Sequence, residues 1–489
     1  MKRFHSILVR CVLPCLAAAA LSSMMSLPLA AACHVVTPAG GGSKTGADWN
    51  NPYAGLPATL VRGDVYYLAD GSYGSYSLNT AASGTTQITI KKAIASDNCT
   101  STGWNVATMG SAQATFTQIA YSGGGYYTIN GQVGAFNNNN GLPTEGSFGI
   151  YVNGTSCHLG SMSRCVGLDM PSASSTTLSY IEVQGTGATS AANTSTPDDL
   201  LYYGGSTNLT IDHVFMHDSS CDFTFGYGSS NLLVQYSYFY KNWGAGSCHG
   251  QVSWNGNAHT GTVWRYNTMR TIEGSAIWTA ATAGGGTTYD GVEIYGNVIY
   301  WGGTADKAGY QCLGDGVFTC LNSGVSCNGL QFYNNTMVNL QASGSAGNNC
   351  GAGAAGIYYD PASSGGTATA ANNVWYSTSS GAAGPSFSGG TITHSYNSAL
   401  GTTAGGLSET GAVNDAGAAN PFVSWSGSGN LNAELAVSNS DVNNWLVLSS
   451  PFATDPLGVA RTSSRGAYQY GSAQMVPATA PPNVTTTIH

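Results

Sequence analysis

The central part of the chain repeats one short pattern, in which two apolar positions five residues apart flank a position that is polar in all repeats but the first. The apolar pairs are Ile211/Met216, Val234/Phe239, Trp264/Met269, Ile294/Ile299, Phe332/Met337 and Ala370/Trp375. The position between them holds Val214, Ser237, Asn267, Asn297, Asn335 and Asn373, at intervals of 23, 30, 30, 38 and 38 residues. This pattern predicts two short strands and a tight bend in every repeat, stacked so that the apolar pairs build one core.

The asparagine column indicates how the repeats stack. Asparagine suits a tight bend because it tolerates the left-handed conformation and its side chain forms local hydrogen bonds. Stacked coils would bring these residues into a ladder, and the uneven intervals indicate loops of different lengths. We therefore predict an all-β, right-handed parallel β-helix with an N-terminal cap. An antiparallel β-sandwich is the alternative, since strands spaced in this way can also pair antiparallel.

Composition agrees with an all-β protein. Charged residues make up only 8% of the chain, whereas aromatic residues make up 10%. Helices on a protein surface normally carry charged side chains on their wet face, so the low charge content disfavours a helical fold. The aromatic residues supply enough apolar surface for a core, which argues against disorder.

The N-terminus has the features of an export signal. Three basic residues lie within the first ten positions, an apolar stretch covers residues 11–29, and Ala30-Ala31-Ala32 offers a cleavage site of small residues. We predict a signal peptide over residues 1–32 and a secreted protein, extracellular or periplasmic. A lipid anchor at Cys33 is the alternative.

The mature chain is expected to be acidic and to lack a membrane span. Removing the signal takes away three of 14 basic residues and none of the 23 acidic ones, which leaves a net charge near −12. This charge disfavours nucleic acid as a partner, and no later stretch is apolar enough to cross a bilayer. We expect a monomer with the β-helix over residues 33–472 and a flexible Pro/Thr-rich tail over residues 473–489.

Ten cysteines follow the predicted signal, and their even number in an exported chain predicts disulfides. The short interval between Cys157 and Cys165 suggests a local pair. Zinc is the alternative, because four thiols follow one another in the sequence, but their intervals differ from the short pairs of structural zinc sites. These four are Cys312, Cys320, Cys327 and Cys350.

Both ends of the mature chain resemble secreted proteins of the pectate-lyase-like superfamily. Gly63-Asp64, Gly71-Ser72-Tyr73, Ser83-Gly84-Thr85 and Ile88-Thr89-Ile90 resemble its opening coil. Asp455-Pro456-Leu457-Gly458, Arg461 and Arg465-Gly466-Ala467-Tyr468 resemble the closing motif of secreted bacterial β-helix proteins. The resemblance implies a parallel β-helix, and it leaves the activity open because this fold carries lyases, hydrolases, epimerases and adhesins.

The resemblance implies a polysaccharide as partner and gives a chemical role to basic residues. In lyases of this superfamily, a base removes the proton α to a uronate carboxyl while cations neutralise that carboxyl. Strand alternation turns Arg265 and Arg270 outward, and Lys241 lies one coil earlier. We expect these three charges to converge over one groove, with His249 and Glu273 beside them as further catalytic candidates.

Further side chains are predicted to bind substrate or metal. Outward-facing rings stack on sugars, so we assign Tyr295, Tyr300 and Trp301, together with His217, to substrate binding. Calcium is a candidate cofactor, with Asp198, Asp199, Asp212, Asp218 and Asp222 as possible ligands. The spacing of these acids matches no compact calcium loop, so turns and surface charge are the favoured interpretation.

The favoured function is a secreted polysaccharide lyase that acts on a uronate-containing polymer. A glycoside hydrolase on the same fold is the first alternative, since it needs two carboxylates and Asp212, Asp218, Asp222 and Glu273 offer several pairs. A non-enzymatic surface or adhesion protein is the second alternative, because titratable groups are few.

Overall fold

The computed structural model describes residues 31–135, 143–155, 158–187, 198–244, 250–274, 276–281, 287–303, 306, 316–340, 355–378, 382–403 and 405–471. These residues form a right-handed parallel β-helix with three faces. The predicted signal peptide lies outside the described residues except for its last two positions, and the tail lies wholly outside them. No helix within the described part has the length and hydropathy needed to cross a membrane.

Face 1 is one sheet of fifteen strands, and all the pairings along it are parallel. It is built from the strand that precedes the asparagine bend in each coil, together with strands of the N-terminal cap. The strands are Cys33–Thr37, Tyr53–Ala54, Val65–Leu68, Ile88–Lys92, Tyr127–Asn130, Ser174–Ser179, Thr207–Asp212, Leu233–Gln235, His259–Thr260, Val263–Arg265, Thr287–Asp290, Glu293–Tyr295, Val325–Tyr333, Gly366–Ala371 and Thr391–Ser395.

Faces 2 and 3 follow face 1 in each coil and are joined into one sheet of twenty strands. Gly71–Leu78 and Ala114–Tyr121 run along both faces. Face 2 contains Ile150–Asn153, Ile181–Gln184, Phe215–Ser219, Tyr238–Asn242, Thr268–Ile272, Val298–Tyr300, Thr336–Val338, Val374–Ser377, Ser398–Gly401 and Val413–Asp415. Face 3 contains Leu168–Asp169, Leu201–Tyr202, Thr224–Tyr227, Ser253–Gly256, Ala276–Ala281, Gly316–Cys320, Ile357–Tyr359 and Phe387–Ser388.

Little else in the described residues is regular. One short α-helix covers Val106–Met109, and a 3-10 turn covers Ser161–Ser163. Phe422–Ser424 and Asn432–Leu435 form an antiparallel pair in the C-terminal segment. The parallel pairing of the repeats rejects the β-sandwich alternative.

The repeated apolar pairs form the core, as the sequence predicts. All twelve side chains, from Ile211 to Trp375, are at most 1% exposed. Neighbouring coils pair in register, so that Val234 lies opposite Trp264 and Phe239 lies opposite Met269. Side chains of one column therefore stack along the solenoid axis.

The asparagines form the predicted ladder between faces 1 and 2. The backbone N–H of Asn267 donates to Oδ1 of Asn297 (3.0 Å), and Asn297 donates in the same way to Asn335 (3.1 Å). The ladder continues to Asn373 and then to Asn397, where the Glu409 carboxylate accepts from both the N–H (2.7 Å) and the side-chain amide (2.9 Å). Glu409 thus ends the ladder.

The left-handed residue of each bend differs from the prediction. It is the residue before the ladder position, with φ of 53° at His213, 59° at Tyr266 and 55° at Asn334. The ladder asparagines do not themselves have positive φ. Their role is to hydrogen-bond from coil to coil, which satisfies N–H groups buried in the core.

The closing motif belongs to a C-terminal segment that folds back over the solenoid. Arg465 is fully buried and donates hydrogen bonds to the carbonyls of Asn397 (2.7 Å) and Gly411 (2.6 Å). Arg461, 6% exposed, donates to the carbonyl of Gly466 (2.7 Å). Both arginines hold the segment in place and are structural.

Disulfides are present, as the sequence predicts. Cys33 pairs with Cys99 and Cys320 pairs with Cys327, while Cys165 and Cys221 are also disulfide-bonded. The proposed local partner of Cys165, residue 157, lies outside the described residues. Two of the four thiols considered for zinc are thus bonded to each other and cannot act as thiolates. Cys33 is bonded as well, whereas lipid attachment requires a free thiol there.

We expect mild reductant to open the two resolved disulfides in order. Cys33 is exposed, whereas Cys320 and Cys327 are at most 1% exposed. Opening the 66-residue loop between Cys33 and Cys99 should lower the unfolding free energy by about 2 to 4 kcal/mol. Alkylation followed by mass spectrometry should label Cys33 and Cys99 in folded protein, and Cys320 only after unfolding. Simultaneous labelling would contradict this order.

Candidate functional site

The corner between faces 2 and 3 brings together the polar residues of successive coils. Asp218, Lys241 and Thr271 occupy equivalent corner positions and all have left-handed backbones, with φ of 57°, 58° and 55°. Because the same conformation recurs in each coil, it belongs to the architecture of the corner. It places the side chain of Lys241 one strand spacing from that of Asp218.

His217 lies directly beneath this corner, between two carboxylates. Its Nδ1 is 2.8 Å from Oδ2 of Asp218, its Nε2 is 3.3 Å from Oε1 of Glu182, and its ring stacks on Phe215. Burial alone would lower the pKa of His217, but the hydrogen bonds to Asp218 and Glu182 outweigh it and raise the pKa to about 9. His217 is therefore a buried cation at neutral pH. It is 1% exposed, which corrects its assignment to substrate binding.

Lys241 and Arg270 flank the ring of Tyr240 on face 2. The Nζ of Lys241 is 4.8 Å from the ring centroid, and the Cζ of Arg270 is 5.1 Å from it. Lys241 is half exposed, whereas Arg270 is 4% exposed and forms an ion pair with Asp306. Three cationic side chains therefore occur in consecutive coils, and Lys241 is the accessible one.

Three aspartates form a buried acidic cluster beside this corner, and we use that name for Asp198, Asp199 and Asp222. Each is at most 2% exposed. The N–H of Asp222 donates to Oδ1 of Asp199 (3.3 Å), and Arg164 Nη1 lies 2.6 Å from Oδ2 of Asp199. Burial raises the pKa of all three carboxyl groups, and mutual repulsion adds to this at Asp199. Because all three are buried, their interpretation as surface charge is wrong.

Arg265 lies on face 1, away from the corner. Its Nη2 and Nε donate to Oε1 of Gln235 (2.6 and 2.8 Å), and its Nη1 donates to the hydroxyl of Tyr295 (3.0 Å). Gln235 in turn donates to Asp212 (3.1 Å). The predicted convergence of Arg265 with Arg270 and Lys241 over one groove is therefore wrong, because the asparagine bend separates the two faces.

The rings assigned to substrate binding are covered. Tyr295 and Tyr300 are each 1% exposed, and Trp301 is 8% exposed. Phe452 packs edge-on against Tyr295, and Trp425 does the same against Tyr300. Strand alternation does turn these side chains away from the solenoid core, but the C-terminal segment covers them, and the sequence pattern gave no sign of that cover.

The last two catalytic candidates are only partly described. Glu273 is half exposed and follows the face 2 strand that carries Arg270, close to Gly250. His249 lies outside the described residues. The structure therefore groups Lys241, His217, Arg270 and Glu273 along face 2 and its corner, and it separates Arg265 and Tyr295 from them.

The sequence marks these aspartates as possible calcium ligands, and one further signal could have shown that two of them come together. Asp199 and Asp222 are 23 residues apart, and the same interval separates Val214 from Ser237 in the repeat. An equal interval places two residues at equivalent positions of successive coils, one strand spacing apart. Acidic residues separated by the length of one coil therefore come close together in the fold, whereas acidic residues that are neighbours in the sequence need not.

Comparison with known proteins gives matches only among solved structures. No protein-family model matches the sequence, and no curated protein matches it. An alginate lyase from Paenibacillus sp. str. FPU-7 aligns over 75% of this chain and 98% of its own, with 12% identity and a TM-score of 0.41. Pectate lyase Pel9A aligns over 91% and 97%, with 13% identity and a TM-score of 0.41. A GH136 lacto-N-biosidase from Eubacterium ramulus aligns over 74% and 67%, with 11% identity and a TM-score of 0.39.

Proposed function

We propose that the protein is a secreted polysaccharide lyase that acts on a uronate-containing polymer at the corner between faces 2 and 3. The observation that supports this most directly is the run of cations His217, Lys241 and Arg270 on consecutive coils of an acidic chain. His217 and Arg270 are paired with buried carboxylates, so Lys241 is the partly exposed cation of this run. A local positive charge is what a polyanionic chain needs in order to approach a protein of net charge near −12. The run lies along the solenoid axis, as an extended polymer would.

Lys241 is the residue to which we assign proton abstraction. In a lyase reaction the amine of the base, after giving up its own proton to solvent, takes the proton α to the carboxyl. The glycosidic C–O bond then breaks, the leaving oxygen takes up a proton from water, and an unsaturated uronate remains. Lys241 is half exposed, while the neighbouring cations His217 and Arg270 are buried in ion pairs. His217 and Asp218 are hydrogen-bonded to each other beside Lys241. Arg270 lies against the ring of Tyr240, which Lys241 also contacts.

Calcium is the cofactor that we propose for the acidic cluster. Carboxylate oxygens are the ligands that calcium prefers, and Arg164 is the described counter-charge of Asp199 and Asp222, two of the three buried aspartates. Cys221 lies close to Asp199 and Asp222 but is disulfide-bonded, so it is not a ligand. A bound calcium ion would supply positive charge to neutralise a substrate carboxyl.

We expect calcium to stabilise the folded protein even without substrate. At a calcium concentration one hundred times the Kd, the unfolding free energy should rise by about 2.7 kcal/mol. Melting curves with calcium and with a chelator would measure this, and Asp199→Asn should abolish the shift. Asp290→Asn on the exposed part of face 1 is the matched control and should keep it. Equal melting temperatures with and without calcium would exclude the site.

A substrate screen tests the proposed activity. Purified protein is incubated with uronate-containing and neutral polysaccharides, and ultraviolet absorbance of the unsaturated product is read separately from reducing ends. We expect both signals to rise together on a uronate polymer. Reducing ends without unsaturated product would indicate a hydrolase, whose carboxylates the acidic cluster could supply, and binding without either signal would indicate an adhesin.

A further inference from the structure

Face 3 carries a second group of outward side chains next to the acidic cluster. Asp169, Tyr202, Phe225 and Trp254 lie opposite one another in four consecutive coils, and all pairings are parallel and in register. Tyr227 packs edge-on against Phe225 and Trp254. We call these five residues the face 3 patch. None of them belongs to the Lys241 corner.

Aromatic surface is the first property of this patch. The rings of Phe225 and Trp254 are nearly parallel, with centroids 4.7 Å apart and an interplanar angle of 7°. Trp254 and Tyr227 are partly exposed, while Phe225 and Tyr202, at the same position in the two coils before Trp254, are 3% and 9% exposed. The exposed parts of Trp254 and Tyr227 are held by these neighbouring rings and form a rigid apolar surface that a sugar ring can contact through its C–H groups.

An unsatisfied carboxylate oxygen is the second property. Asp169 is 9% exposed, and its Oδ2 accepts from the N–H of Ser161 (3.1 Å). Its Oδ1 is buried and has no hydrogen-bond partner. Buried polar atoms in folded proteins nearly always have partners, so this oxygen at the end of the ring row is suited to accept a hydrogen bond from a ligand hydroxyl.

Charge decides which kind of sugar fits. Asp169 is acidic, while the guanidinium of Arg164 is committed to Asp199 (2.6 Å) and lies over the Phe225 ring (4.2 Å). A uronate carboxylate placed beside Asp169 would be repelled. A neutral sugar offers hydroxyl donors and an apolar ring face without that cost.

We propose that the face 3 patch is a subsite for a neutral sugar unit, with Trp254 and Tyr227 as its platform and Asp169 as its hydroxyl acceptor. This rests on the proposed function, because the same polymer would reach Lys241 at the adjoining corner. The substrate is then a heteropolymer in which uronates and neutral sugars share one chain. A polymer of uronates alone would leave the patch without a suitable unit.

Equilibrium binding tests this subsite independently of catalysis. Affinity electrophoresis would use four probes: polygalacturonate, alginate, a rhamnogalacturonan with alternating uronate and neutral units, and a neutral galactan. We expect the rhamnogalacturonan to bind most tightly of the four. Trp254→Ala should weaken that binding by about tenfold or more, since truncated aromatic anchors have effects of this size.

Two further variants separate binding from folding. Asp169→Asn retains an oxygen that can accept from Ser161 but removes the free acceptor, so binding should fall about tenfold while the melting temperature stays unchanged. Tyr236→Ala is the matched control, because Tyr236 is a half-exposed ring stacked between His213 (5.1 Å) and Tyr266 (5.3 Å) at the opposite corner. It should bind like the wild type.

The possible results distinguish this proposal from the proposed function. Wild-type affinity in both Trp254→Ala and Asp169→Asn, equal loss in Tyr236→Ala, or tighter binding of a uronate homopolymer would overturn the subsite. Failure of all four probes to bind would also overturn it. Binding that depends on Trp254 without any unsaturated product would overturn the lyase proposal and leave the subsite standing.

Discussion

Replacement of Lys241 by methionine is expected to lower kcat/KM on the polymer identified by the screen by at least about a hundredfold. Loss of a positioned general base has effects of roughly 10² to 10⁴ in rate. Methionine preserves the unbranched side chain that lies against Tyr240 and removes the amine. The left-handed backbone at this position burdens both residues similarly. Initial rates of absorbance increase would measure the effect.

The matched control is Lys44→Met. Lys44 is exposed in the N-terminal cap, and its backbone is also left-handed, with φ of 54°. We expect wild-type turnover from this variant and a wild-type melting temperature from both variants. If Lys241→Met retained full activity with the fold intact, Lys241 would be an ordinary corner residue and the catalytic assignment would be wrong.

Asn297→Ala is expected to destabilise the fold by about 4 to 5 kcal/mol. The Oδ1 of Asn297 accepts from both N (3.0 Å) and Nδ2 (3.1 Å) of Asn267, while its own Nδ2 donates to the carbonyl of Trp264 (2.9 Å) and to Asn335 (3.1 Å). The substitution removes four hydrogen bonds and leaves two donors of Asn267 buried without an acceptor. Each such orphan costs about 1 to 3 kcal/mol.

Denaturant unfolding followed by circular dichroism would measure this loss. Asn328→Ala is the matched control, because Asn328 lies half exposed on face 1 with one side-chain hydrogen bond, to Asp290 (3.2 Å). It should change the unfolding free energy by about 0.5 kcal/mol or less, as is usual for surface positions. A comparable loss in both variants would mean that the ladder contributes no more than an exposed pair.

The solenoid could be predicted from the sequence because its determinants are local and periodic. Each apolar pair, such as Trp264 and Met269, fixes a strand orientation, and recurrence of the pair fixes the stacking. The left-handed position was misplaced by one residue, from Asn267 to Tyr266, and the third strand of each coil, on face 3, was not predicted. Asparagine is favoured both where the backbone is left-handed and where a side chain must form hydrogen bonds. In the ladder, asparagine is present for its hydrogen bonds, and the residue before it has the left-handed backbone.

The site was harder to predict, since accessibility depends on contacts between residues far apart in the sequence. Strand alternation correctly turned Arg270 and Tyr300 away from the core, yet Asn430 and Trp425 of the C-terminal segment cover them. No periodic pattern marks that cover. Arg265 and Arg270 are close in sequence, but a tight bend sends neighbouring strands to different faces. Lys241 remained accessible because it lies at a corner ahead of the covered coils.

Termination of the asparagine ladder by Glu409 determines what an incoming strand would meet at this end of the ladder. A stack of parallel coils ends in unpaired strand edges, and such edges can recruit strands of other molecules into growing fibrils. At Asn397 the acceptor of the next coil is replaced by a carboxylate, which takes both donors of the last ladder residue. An incoming coil would have to displace a buried negative charge that also contacts His394. Glu409 therefore leaves the last ladder residue without a donor for an incoming coil.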